Sequence, residues 1–98
     1  MTTRIGKFNY STTNVTTSWV KVLSANDQRK FATIVNASDE VMWLKNAEEA
    51  PVTAAATGVH IAAAGFAYTI DEDNLWKGNV WMIHAGTGNK VASVEEGV

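Results

Sequence analysis

The sequence predicts an all-β domain, a small antiparallel β-sandwich or jelly-roll-like barrel of about seven strands with an extended N-terminal arm. Three observations lead there. Hydrophobic segments of four to nine residues, rich in Val, Ile, Trp and Phe, recur along the chain. Clusters of Asn, Asp, Ser and Gly punctuate them at short, even spacing, as turns do. No alternation of strands with long helical periods is present, so a parallel, doubly wound sheet is not expected. Residues 70–83, IDEDNLWKGNVWMI, show the syntax best, with an acidic turn between an aromatic segment and a strand carrying Val80, Trp81, Met82 and Ile83.

The first fourteen residues are rich in Thr, Ser and Asn and hold only Ile5, Phe8 and Tyr10 as apolar anchors. They read as an extended arm or a short edge strand, and equally as a disordered tail. The domain proper is taken as residues 15–98. Val15 to Leu23 is β-branched and reads as a strand, followed by the turn Ser24 to Asp27. Arg29 to Asn36 alternates, with Ala32 and Ile34 on one face and Phe31, Thr33 and Val35 on the other. After the turn Ala37 to Glu40, Val41 to Lys45 sets Met42 and Leu44 opposite Val41 and Trp43. Asn46 to Gly58 is expected as a loop. A helix over Ala47 to Ala56 competes on alanine content, but Pro51 would interrupt it. Val59 to Ala63, Phe66 to Ile70 and Asn79 to Ala85 complete the middle strands. Gly86 to Asn89 is expected as a hairpin turn before a last strand, Val91 to Glu95.

Composition narrows the function classes. At 98 residues and 46% hydrophobic, the chain has the size and character of one globular domain. So small a core leaves little surplus over the entropy of ordering, and small domains often add disulfides, metals or self-association. With no cysteine, disulfides and thiolate zinc are excluded, and two lone histidines make a structural metal unexpected; self-association remains. A net charge of −2, with eight scattered basic residues, argues against nucleic acid as partner. No apolar run approaches membrane-spanning length, and the opening MTTRIGKFNYSTTN lacks the apolar core of a signal peptide. Synthesis inside the cell is therefore expected.

Several motifs dissolve on inspection. Asp71, Glu72 and Asp73 lack the spacing of a twelve-residue calcium loop and read as a solvated turn. Gly86 to Lys90 lacks the two-glycine spacing of a phosphate loop. His60 and His84 lie on different strands with no partner of catalytic or ligating type, and His84 shares phase with Val80 and Met82, as a satisfied core histidine would. No enzyme, no cofactor and no metal site is expected. Three glycosylation sequons read as chance in a chain rich in Thr and Asn.

The four tryptophans carry the remaining signal. If Val20 and Val22 face the core, Trp19 and Lys21 face away, and Trp43 lies opposite Met42 and Leu44. Either both sheet faces are covered, or Trp19 and Trp43 belong to a protein interface, or they form a platform for stacking sugars. Trp76 lies in a charged turn and is expected to fold back as a plug beside Leu75, with an exposed contact as the alternative.

Certain segments also resemble small all-β virion proteins of tailed bacteriophages. The matching residues are Val20, Val22, Leu23 and Asn26, then Arg29-Lys30-Phe31, then Ile34, Asn36 and Ser38. Later come Tyr68, Ile70, Asp71, Leu75, Trp76, Gly78, Val80, Trp81 and Ile83. The resemblance runs from about Val15 to Glu96 and its motifs are structural; the loop Glu48-Glu49-Ala50-Pro51 is longer and more acidic than the group's pattern. It implies a particle component, most directly a capsid decoration (cement) protein, commonly trimeric, docked on the major capsid protein. It thus implies location in the virion after synthesis in the host cytoplasm, with no nucleic acid or membrane as partner. A tail or head-fibre module is the alternative within that class. A carbohydrate-binding module using Trp76, Trp81 or Tyr68 is the alternative outside it. The interface residues expected on the decoration reading are Trp19, Phe31, Trp43 and Trp76.

Overall fold

The computed structural model describes residues 4–98 and is all-β. Eight strands form it: β1 Phe8–Val15, β2 Val20–Leu23, β3 Phe31–Asn36, β4 Met42–Asn46, β5 Val59–Ile61, β6 Ala67–Ile70, β7 Val80–His84 and β8 Lys90–Gly97. They make two antiparallel four-stranded sheets, sheet A in the order β1-β8-β3-β6 and sheet B in the order β2-β7-β4-β5.

This order has a simple logic. Strands 1 and 8, 2 and 7, 3 and 6, and 4 and 5 are paired, as in one long hairpin, and successive pairs alternate between the sheets. A hairpin rolled in this way is a jelly roll. The eighth strand is β1, which lies almost wholly in the segment read as an extended arm or a short edge strand and forms an edge of sheet A. Residues 15–23, expected as one strand, are broken at Thr16 to Trp19, where the Thr16 hydroxyl accepts from Ser18 N–H at 3.2 Å. That break carries the chain from sheet A to sheet B. Residues 8–14, assigned to the arm, lie in β1, which pairs with β8 over its whole length. The division at residue 14 therefore falls inside a strand, while the first three residues lie outside the described part.

Gly86 to Asn89 does not close a hairpin. It carries the chain from β7 in sheet B to β8 in sheet A. Buried His84 pins this crossing, its Nδ1 accepting from Gly86 N–H at 3.0 Å and its Nε2 lying 2.8 Å from Gly88 O. These partners fix the neutral tautomer with the proton on Nε2. Among the described residues, β4–β5 is the one pair of consecutive strands joined as neighbours in a sheet. Its connection, residues 47–58, is irregular throughout, so the competing helix does not form.

Alternation fills the core. Ala32, Ile34, Met42, Leu44, Ile70, Val80, Met82, Ala92 and Val94 point between the sheets and are buried. In β2 a bulge between Lys21 and Leu23 breaks the strict alternation, so that consecutive Val22 and Leu23 are both buried.

Two polar clusters close the ends of the sandwich. At one end Arg29, fully buried, donates Nε–H to Glu96 at 2.7 Å and reaches the carbonyls of Trp76, Gly78 and Ser24. At the other, buried Asn36 donates to the carbonyls of Glu40 and Ile61 and accepts from Ser38. A buried guanidinium or amide is tolerated only when its polar atoms are matched, and these are.

Candidate interaction surfaces

Because both sheets use one face for the core, the residues left for recognition lie on the two outer faces, and the register lays them out in rows. On sheet B, Lys21, Trp81 and Lys45 stand abreast on β2, β7 and β4. The next row is Ile83, Trp43 and His60, with the Trp43 and His60 rings edge to face at 6.0 Å.

This face is roofed by the chain itself. Trp19 donates its indole N–H to Thr53 O at 2.7 Å, and Trp81 donates to Ala47 O at 2.9 Å, so two tryptophans hold down the β4–β5 loop. Lys45 Nζ sits 5.5 Å from the centre of the Trp19 ring and donates to the Thr53 hydroxyl at 2.6 Å. Beneath the roof Ile83 is nearly inaccessible, 4% exposed although it points away from the core. An open hollow of about 580 Å³ remains between Trp19, Ile83 and the loop residues Ala50 to Ala55.

Sheet A is different. Its outer rows are Phe8 and Phe31 flanking Gly97; then Tyr10, Glu95, Thr33 and Thr69; then Thr12, Ser93, Val35 and Ala67; then Asn14 and Val91. The Phe8 and Phe31 rings meet edge to face at 6.3 Å across the narrow glycine. Tyr10 is 72% exposed, Phe8 and Val91 about half as much. A shallow hollow of about 280 Å³ lies among Tyr10, Thr33, Val35, Ser93 and Glu95. The Glu95 carboxylate accepts from the Tyr10 hydroxyl and holds that phenol above its usual range, since losing the proton would set two negative charges together. Among the described residues, the segment before β1 lays Ile5 over Gly97 at one end of this face, and the rest carries nothing comparable to the 47–57 loop on sheet B.

The four expected interface residues are thus not brought together. Trp19 and Trp43 share the outer face of sheet B, and Trp19 is tied to the roof. Phe31 lies on the outer face of sheet A. Trp76 folds back against the core, its ring flat on Gly78 and its N–H donated to Asn79 O at 2.9 Å. Any side chain on Gly78 would collide with that ring. Of the three residues considered for sugar stacking, Tyr68 and Trp76 pack against the core, and Trp81 lies on the outer face of sheet B with its N–H bound to the loop. The acids of the 71–74 turn shape the turn itself, Asp71 Oδ1 accepting from Asp73 N–H at 2.9 Å and Asn74 Oδ1 from Asp71 N–H at 2.8 Å.

Phe8, Tyr10 and Val91 were missed as surface residues. Phe8 and Tyr10 were legible as apolar anchors of an arm or short edge strand, but nothing local in so polar a segment names β8 as its partner. Half-buried Lys90 and exposed Asp39 form an ion pair at 2.7 Å beside the β7–β8 crossing, which lowers the Asp39 carboxyl and raises the Lys90 ammonium from their usual ranges. Exposed pairs of this kind add little stability.

Comparison with protein-family models, with curated proteins and with solved structures finds no match.

Proposed function

We propose that this protein is a structural component of a bacteriophage particle, of the capsid decoration kind, which works by burying the outer face of sheet A against the major capsid protein. The observation that carries this reading is the contrast between the two outer faces. On sheet B the chain's own loop binds the indoles of Trp19 and Trp81, whereas sheet A leaves Phe8, Tyr10, Phe31, Val35 and Val91 on a face that, among the described residues, only Ile5 is seen to overlie, at Gly97. Aromatic side chains grouped on an uncovered face are what protein interfaces recruit. The resemblance of residues 15–96 to virion proteins supports the choice of partner. The jelly roll is compatible with it, since capsid and lectin domains both use that architecture, and for the same reason it does not choose between them.

The mechanism asks nothing of acid–base chemistry. A rigid sandwich loses little entropy on docking, so surface burial of roughly 1,000 Å² or more gives a stable seat on a capsid. The second reading, carbohydrate binding, draws on one observation, the hollow beside Trp19. The two separate in a sedimentation experiment with capsids of the phage that carries this coding sequence. On the decoration reading the purified protein pellets with capsids and raises the temperature at which they fall apart. Protein that stays in the supernatant, with tryptophan fluorescence that responds to millimolar sugar, would replace decoration with glycan binding.

A further inference from the structure

We infer that β1 is a self-association edge: two copies pair their β1 strands antiparallel about a two-fold axis normal to sheet A, joining two four-stranded sheets into one of eight. β1 is an edge strand, bonded to β8 on one side only. Alternate residues along its other side direct N–H and C=O groups away from the sheet, a template for a further strand.

The exposure of β1 is unusual for its length. Phe8, Tyr10, Thr12 and Asn14 are exposed on the outer face, as befits that face. Asn9 and Ser11, on the face turned toward sheet B, are exposed as well; only Val15 is buried, and Thr13 partly. The first five residues of the strand are therefore exposed on both faces, their backbone pairing with β8 and Phe8 alone among them meeting a β3 side chain, Phe31.

The other three edges carry the features that stop strands from pairing with strangers. β5 has three residues and β6 four, while β2 has four, a bulge and Lys21. β1 has eight residues, with no charge, no proline and no bulge against β8. One unguarded edge among guarded ones marks the place where pairing is wanted.

The sequence of that edge fits a second copy of itself. In a two-fold antiparallel pair the residue on the axis faces its own copy, so a Lys or Glu there would meet like charge; FNYSTTNV carries no charge at any position. An axis normal to the sheet keeps the outer faces of both copies on one side. With the axis at Ser11, Tyr10 faces Thr12 of the second copy and Phe8 faces Asn14; with the axis at Thr12, Tyr10 faces Asn14. Aromatic–threonine and hydroxyl–hydroxyl pairs of this type stabilise antiparallel sheets. The strip is about 27 Å long at roughly 3.4 Å per residue, so the contact is modest and the dimer depends on concentration.

The absence of cysteine supplies a direct test. Directly opposed residues have Cα atoms about 4.5–5.5 Å apart, within disulfide range. Ser11→Cys and Thr12→Cys place a thiol at the two candidate axis positions, and Thr87→Cys, on the exposed β7–β8 crossing, serves as the control. On mild oxidation one of the β1 variants is expected to give covalent dimer severalfold above the control. The wild-type mass by light scattering should rise from monomer toward dimer with concentration. Thr12→Lys combined with Asn14→Lys should abolish that rise and leave the circular dichroism of the monomer unchanged. Cross-linking no greater than for Thr87→Cys, or a trimer that persists in the double lysine variant, overturns the pairing. Either result leaves capsid sedimentation, and so the decoration reading, standing on its own evidence.

Discussion

Arg29 shows how one residue holds several parts of this fold. It is fully buried at the end of the sandwich and joins β8, through Glu96, to the β2–β3 and β6–β7 connections through three carbonyls. Removing its counter-ion strands a buried charge, which costs far more than the pair itself contributes. Glu96→Ala is therefore expected to destabilise the domain by about 3 kcal/mol, read from the midpoint of urea denaturation. A loss well under that figure would mean that the carbonyls alone satisfy the guanidinium. Ser24, Trp76 and Gly78 are scattered in the sequence, and only the fold brings them to Arg29, so its burial is not legible from the residues beside it. The phase of Ile34, Met42 and Leu44 was legible, because alternation in a strand is a local property. The bulge at Val22 was not, since it depends on the register with β7.

At the scale of elements, the β4–β5 loop is the feature that decides which outer face is available. It is tied down by the indole N–H groups of Trp19 and Trp81 and by Lys45, and Gly58 ends it with φ +101°. A Cβ on Gly58 would lie 2.6 Å from Leu44 O, so the hairpin cannot close around any larger residue without moving. Gly58→Ala is expected to lower stability by about 1–3 kcal/mol, as a strained backbone does, and to loosen the roof. The second effect is read as faster proteolysis within residues 50–57 and a shift in tryptophan emission. Destabilisation without change in either readout would show that the roof is held from the Trp19 side alone. The loop was legible as a loop from Pro51 and its flanking residues. Its position over sheet B was not, because that depends on two side-chain-to-carbonyl bonds spanning more than thirty residues.

For the whole molecule, the rolled-hairpin topology explains why the sequence predicted strands and turns well and their connections poorly. Turn residues announce that the chain reverses; they do not say whether the next strand joins the same sheet or the facing one. Here nearly every turn changes sheets, so Gly86 to Asn89 looked like a hairpin and is a crossing. The same topology pairs first and last strands, which turns a polar N-terminal segment into the long edge β1. A sandwich with one roofed face and one open face is polar, and the proposed docking uses the open one. The account rests on that polarity. It is tested most directly by hydroxyl-radical footprinting of aromatic side chains, comparing the free protein with the protein seated on capsids. The predicted result is protection of Phe8, Tyr10 and Phe31, with Trp19 and Trp43 labelled equally in both states. Protection of Trp43 and Trp19, with Tyr10 still fully reactive on the capsid, would place the contact on sheet B and contradict the account.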